Sequence, residues 1–159
     1  GKIIRYQGLV ADVRPSGDAC WGSTADLAAI IRLDRAACGM DRASMYSALS
    51  NEARLAVLRR SGGIAGHAFV RDFGLGRVIG PVVAASADEA QDLISFIMSE
   101  HSGACLRVDT RRDTGLGAWL EQSGLSADTA GGIVMQAGTV ISGPAGPVSV
   151  FALASQALG

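Results

Sequence analysis

Residues able to do chemistry fall in a few places along this chain. The run Val82, Val83, Ala84, Ala85, Ser86, Ala87, Asp88 joins an apolar segment to a helical one. Ser86 stands where an N-cap belongs, and Asp88 and Glu89 fall in the first turn behind it. The open N–H groups of such a helix start suit an anion, typically a phosphate; an ordinary strand–helix unit is the alternative. His67, in the middle of an alternating strand pattern, has an ordinary pKa suited to moving a proton, and a histidine merely packed in the strand is the competing reading. Asp109 ends a second apolar strand, where ligand crevices tend to lie, or else it caps the loop that follows. Asp34, Asp41 and Arg42 surround a helix stop at Gly39. Arg42 suits a carboxylate and Asp34 an amine, and the same residues would also make a capping and salt-bridge cluster, with Asp41 as an N-cap. Tyr6, Trp21 and Tyr46 read as pocket lining or as core.

The elements that must hold these residues follow from periodicity. Residues 77–84 are almost continuously apolar, which suits a strand covered on both faces, but Gly80-Pro81 interrupts them. Proline lacks an N–H, so a central strand must bulge or splay there. In 86–101 the residues Ala90, Leu93, Ile94, Ile97 and Met98 make one apolar stripe at helical spacing. Upstream, residues 2–14 read as an arm or strand interrupted at Gly8, and 14–23 as a loop. A helix runs from Ser23 or Thr24 to Gly39, and a second opens at Asp41 and runs to about Asn51. Segments 54–60, 64–73 and 77–84 form an antiparallel meander turned at Ser61-Gly62-Gly63 and Gly74-Leu75-Gly76. The strand at 104–110 follows a helix, so a right-handed crossover sets it parallel to 77–84. A short helix at 114–124 ends on Gly124, and strands in 126–138 and 147–155 complete the sheet. The expected class is α/β (α+β). It has one mixed, mostly antiparallel sheet of about six to seven strands with about four helices around it.

With 159 residues the chain reads as one domain, 15–159, behind an N-terminal arm or first strand, 1–14. Its hydrophobic content of 48% supplies a core, and the 5% of aromatics makes that core aliphatic. A net charge of −1 argues against nucleic acid or an anionic membrane as partner. No apolar run is long enough to span a bilayer, and no secretory pattern opens the chain. Gly at position 1 reads as a processed or cloning end. Three cysteines, Cys20, Cys38 and Cys105, lack metal-ligand spacing and read as reduced, small core residues of a cytoplasmic protein with no metal.

The segments LDRAACGMDRASM (33–45), GGIAGHAFVR (62–71), IGPVVA (79–84), RVDT (107–110), WLEQSGL (119–125), GIVMQAG (132–138) and VFALASQALG (150–159) occur in an order that resembles the GNAT superfamily of N-acetyltransferases. The likeness is nearest to the divergent second domain of tandem GNAT proteins, and KIIRYQG (2–8) resembles the last strand of a preceding domain. The resemblance implies a sheet splayed between its fourth and fifth strands, with acetyl-CoA or another acyl-CoA in the gap as cosubstrate. By position, Val82, Val83 and Ala84 would pair with the pantetheine. Ala85, Ser86, Ala87 and Asp88 would receive the pyrophosphate, and Asp113 stands where an asparagine often lies near the cofactor. Acyl transfer to a small-molecule amine would use Asp109 or His67 as base, with Asp72 a further candidate, and Asp34 and Arg42 to recognise the acceptor. Arg111 and Arg112 would meet the 3′-phosphate or form a solvated pair. The turn AASADEA has none of the Gly, Gln or Arg usual there, and Leu120 stands where many members have an acidic tyrosine. A GNAT-fold module without catalysis, serving binding or dimerisation, is therefore the second expectation. Its partners would be another copy or a preceding GNAT domain.

Overall fold

The computed structural model describes residues 2–128 and 146–155. Strands β1 (Ile3–Leu9), β2 (Cys20–Trp21), β3 (Arg54–Arg60), β4 (Gly63–Phe73), β5 (Gly76–Ala84), β6 (Cys105–Arg111), β7 (Ser126–Asp128) and β8 (Ser149–Ala152) join in one sheet. Helices α1 (Leu27–Cys38), α2 (Ala43–Glu52), α3 (Ala87–Ser99) and α4 (Gly117–Gln122) surround it. The path across the sheet is β2-β3-β4-β5-β6-β1-β7, and β8 pairs with β5 off this path. Pairing is antiparallel except between β5 and β6, which run parallel across the α3 crossover. The expected mixed sheet, its meander and its parallel crossover are all present.

Local sequence accounts for the helix limits. Ser23 and Asp26 close a capping box on the single 3-10 turn that leads into α1, and Gly39 ends α1 at φ 73°. Asp41 Oδ1 accepts from Ala43 N at 3.0 Å and so starts α2. The apolar stripe of α3 packs on β3, β4 and β5, with Leu93, Ile94, Ile97 and Met98 fully buried. On the opposite face α1 and α2 bury Ile30, Tyr46 and Leu49 against Val57 and Phe69. Of the cysteines, Cys20 is exposed rather than a core filler, because the segment read as loop pairs its Cys20–Trp21 with the outer edge of β3. The part of the expected strand at 126–138 that follows Asp128 lies outside the described residues.

Residues 2–14 depart most from expectation. Gly8 does not interrupt the strand: β1 pairs along its whole length with β6 on one side and with β7 on the other. Of the two readings of this segment, arm or first strand, it takes the strand, and the strand is interior to the sheet. Gly8 is needed for closeness, since a Cβ there would lie 2.5 Å from the Gly124 carbonyl oxygen. Gly124 itself has φ 97° and faces the Leu9 carbonyl. Gly8→Ala should lower stability by about 1–3 kcal/mol, the usual effect of overfilling a tight contact. Urea unfolding with an unchanged m-value checks it.

Candidate functional site

The site begins where β5 changes partner. Its parallel pairing with β6 covers Arg77↔Leu106, Val78↔Arg107 and Ile79↔Val108, and then stops. Gly80-Pro81 follows, and the two strands part as the proline demands. On its other edge β5 stays with β4, with a register shift between Ala68 and Val70. Beyond Pro81 a wedge therefore opens between β5 and β6, and it leads from Val82, Val83 and Ala84 to the start of α3 at Ala87.

That wedge is filled by the chain itself. β8 runs antiparallel to β5 with Val82↔Ala152, Val83↔Val150 and Ala84↔Ser149. On the β6 side, Leu153 N donates to the Asp109 carbonyl at 2.9 Å, and Thr110 Oγ1 donates to the Phe151 carbonyl at 2.5 Å. Leu153 also lies so close to β5 that a Cβ at Gly80 would collide with its carbonyl oxygen. The backbone edge expected to meet a pantetheine is thus taken by residues 149–152.

The helix start is also engaged. Ser86 Oγ accepts from Glu89 N at 3.2 Å, and Glu89 Oε2 accepts from Ala85 N at 3.1 Å. Glu89 approaches Arg60 at 3.9 Å. Asp88 is exposed, as are Ala85 and Ser86, and Ala87 is half-buried. This start carries two carboxylates and caps itself with one of them, which stabilises the helix and opposes a pyrophosphate.

The two expected bases are held in separate networks, with β5 between their strands. His67 is fully buried opposite Val57 and Val83, and its Nε2 lies 2.8 Å from Tyr46 Oη. Its Nδ1 is buried with no partner. Burial lowers the His67 pKa to about 3, an effect that the Asp34 charge offsets only in part and Arg42 reinforces. The ring is enclosed and poorly basic in this state. Burial, then the Asp34 charge, raises the Tyr46 pKa. Asp109 is 1% exposed and receives Arg107 Nε at 2.9 Å and Nη2 at 2.5 Å, with Arg5 Nε at 4.0 Å. Both of its oxygens are engaged by Arg107. Asp72 is exposed and pairs with Arg77 at 3.0 Å.

Asp34 and Arg42 pair with each other. Arg42 Nε donates to Asp34 Oδ2 at 3.0 Å, and Arg42 Nη2 donates to Oδ1. The pair clamps the α1–α2 corner from a carboxylate only 1% exposed. Asp113 sits on an exposed 3-10 turn, 3.3 Å from Arg111. Leu120 is core. Trp21, with the Arg54 guanidinium 3.7 Å over its ring, lines a cleft of about 240 Å³ that also touches Leu27, Ser50 and Phe69. Among the described residues, no three of His, Cys, Asp and Glu gather as a metal site would need. The sequence reading missed β8 in the wedge and the Tyr46–His67 bond.

A family model described as an acetyltransferase (GNAT) domain matches residues 30–145. The chain belongs to this GNAT family. Its fold matches a protein from Pyrococcus horikoshii, described provisionally as an acetyltransferase, at 16% identity and a TM-score of 0.67, over 100% of this chain and 52% of that one. A GCN5-related N-acetyltransferase from Sphaerobacter thermophilus gives 19% identity and a TM-score of 0.56, over 80% of this chain and 49% of that one. A conserved protein of unknown function from Staphylococcus epidermidis gives 15% and 0.56, over 80% and 58%. The GNAT chain described here thus spans about half the length of the solved structures it matches. No curated protein sequence matches it. At these identities the likeness is one of fold.

The buried imidazole has a consequence for pH. Between about 3 and its ordinary 6.5, His67 stays neutral when folded and takes a proton when unfolded. Its contribution is complete above pH 6.5 and is lost as pH falls toward 3, by up to about 1.4 kcal/mol per pH unit. The double variant His67→Leu, Tyr46→Phe should flatten the stability–pH curve between pH 4 and 6, read by urea unfolding at each pH.

Proposed function

We propose that this GNAT domain is an acyl-CoA-dependent N-acyltransferase, with an acetyl thioester as donor and an amine on a small molecule as acceptor. One observation carries the reading: β5 and β6 stop pairing at Ile79 and Val108, and the freed edge of β5 runs straight into the start of α3. A wedge with a peptide edge on one wall and a helix N-terminus at its end suits a chain that has amide groups along it and a pyrophosphate at one end. The transfer itself is direct. The amine nitrogen bonds to the thioester carbonyl carbon, the C–S bond breaks, CoA leaves as the thiol, and the amine gives up a proton. A backbone N–H of Val83 or Ala84 would polarise that carbonyl once the edge is free.

A second reading has its own observation. β8 fills the wedge and Glu89 caps the helix start, as suits a GNAT-fold module that no longer binds CoA and acts through another copy or another GNAT domain. No helix among the described residues is long and apolar enough to cross a membrane.

Titration of acetyl-CoA into the pure chain separates the two. The first reading expects micromolar binding and thiol release when amines are added. The second expects no heat and no thermal shift at millimolar CoA. Glu89→Lys removes a carboxylate from the helix start, frees the Ala85 N–H, and should tighten CoA binding about fivefold; equal or weaker affinity would show that the pyrophosphate does not sit there.

A further inference from the structure

The two strands that flank β8 hold it in different ways. It contacts β5 through three residue pairs that include a register shift. It contacts β6 through one backbone bond and one threonine hydroxyl. No helix follows it among the described residues, and its four residues bury only Phe151 and Ala152. By contrast β1, the strand from the other end of the chain, pairs at seven positions with β6 and at three with β7. β1 holds the sheet together, and β8 lies in a gap that the sheet leaves open.

We propose that β8 is an internal occupant of the wedge, a stretch of the chain's own backbone that competes with an acyl thioester for the outer edge of Val82–Ala84. This rests on the acyl-CoA reading above and adds a regulation to it. The physical ground is exclusion. A β-strand edge presents each N–H and C=O once, so a pantetheine and residues 149–152 cannot use it together. Gly80 sharpens the competition, because its missing Cβ is what lets the Leu153 carbonyl come against β5. Thr110 and Asp109 hold β8 from the far wall, so withdrawal of the strand unpairs both walls of the wedge at once. Leaving breaks the bonds to β5 and β6 and that of Arg71 Nη2 to the Ala154 carbonyl, and exposes Phe151 and Leu153; the amides of β5 that it releases are the ones the donor would take up. Acyl-CoA therefore binds with an affinity reduced by the fraction of chains that have β8 withdrawn.

The test uses the whole chain. Backbone hydrogen exchange is followed at Val150, Phe151, Ala152 and Leu153 while acetyl-CoA is added. The expected result is slow exchange in the free chain and at least tenfold faster exchange at saturation, with α3 protected throughout. Val150→Pro removes an N–H from β8 at the position paired with Val83 and leaves the residues of β5 unchanged, and should bind acetyl-CoA about tenfold more tightly than the parent. Binding with β8 still protected, or equal affinity in parent and variant, overturns the competition and leaves the acyl-CoA reading standing. Absence of binding in both overturns that reading and the competition with it. Should Val150→Pro not fold, exchange in the parent decides the matter alone.

Discussion

A peptide edge serves one partner at a time, and the edge of β5 facing β6 changes partner at Pro81. Up to Ile79 it belongs to β6. Proline offers no N–H, the strands separate, and everything beyond depends on what takes the freed groups. In this GNAT chain residues 149–152 take them. The same break that would admit a thioester admits a strand, because both present amide groups at similar spacing. The fold therefore opens a gap at Pro81 and fills it from within.

Around that wedge, polar side chains of the interior are committed to one another. Asp34 and Arg42 join α1 to α2, Arg107 and Arg5 surround Asp109, and Tyr46 meets His67. Each charge that leaves water needs a partner, and removal of one partner from such a buried pair costs about 3–5 kcal/mol. His67 Nδ1 stands out as a buried atom without a bond, a deficit of about 1–3 kcal/mol that the surrounding apolar contacts must offset.

Much of the fold was legible because its signals are local. Gly39 and Gly124 mark helix ends through their positive φ, Ser86 marks a start through its side chain, and the α3 stripe repeats at helical spacing. The splay at Pro81 was legible for the same reason, a missing N–H in an apolar run. The candidate site was far less so. Val82–Ala84 were rightly read as a strand at a broken ladder, but no feature of residues 149–152 says which edge they will join. Gly8 misled for a related reason: a glycine in a strand reads as a break, whereas here it makes room for a backbone that comes from more than a hundred residues away.

From the sequence alone came the things that bonds between near neighbours decide: element types, their limits, the position of the break, and the family resemblance those elements spell out. Tertiary structure decided partners. It set β1 between β6 and β7, paired Asp34 with Arg42 and Asp109 with Arg107, enclosed His67 so that burial lowers its pKa, and laid β8 in the wedge. The reason is range. Backbone conformation responds to a few adjacent residues, but which carboxylate meets which guanidinium, and which strand fills which gap, depends on segments that come together only once the whole sheet has formed.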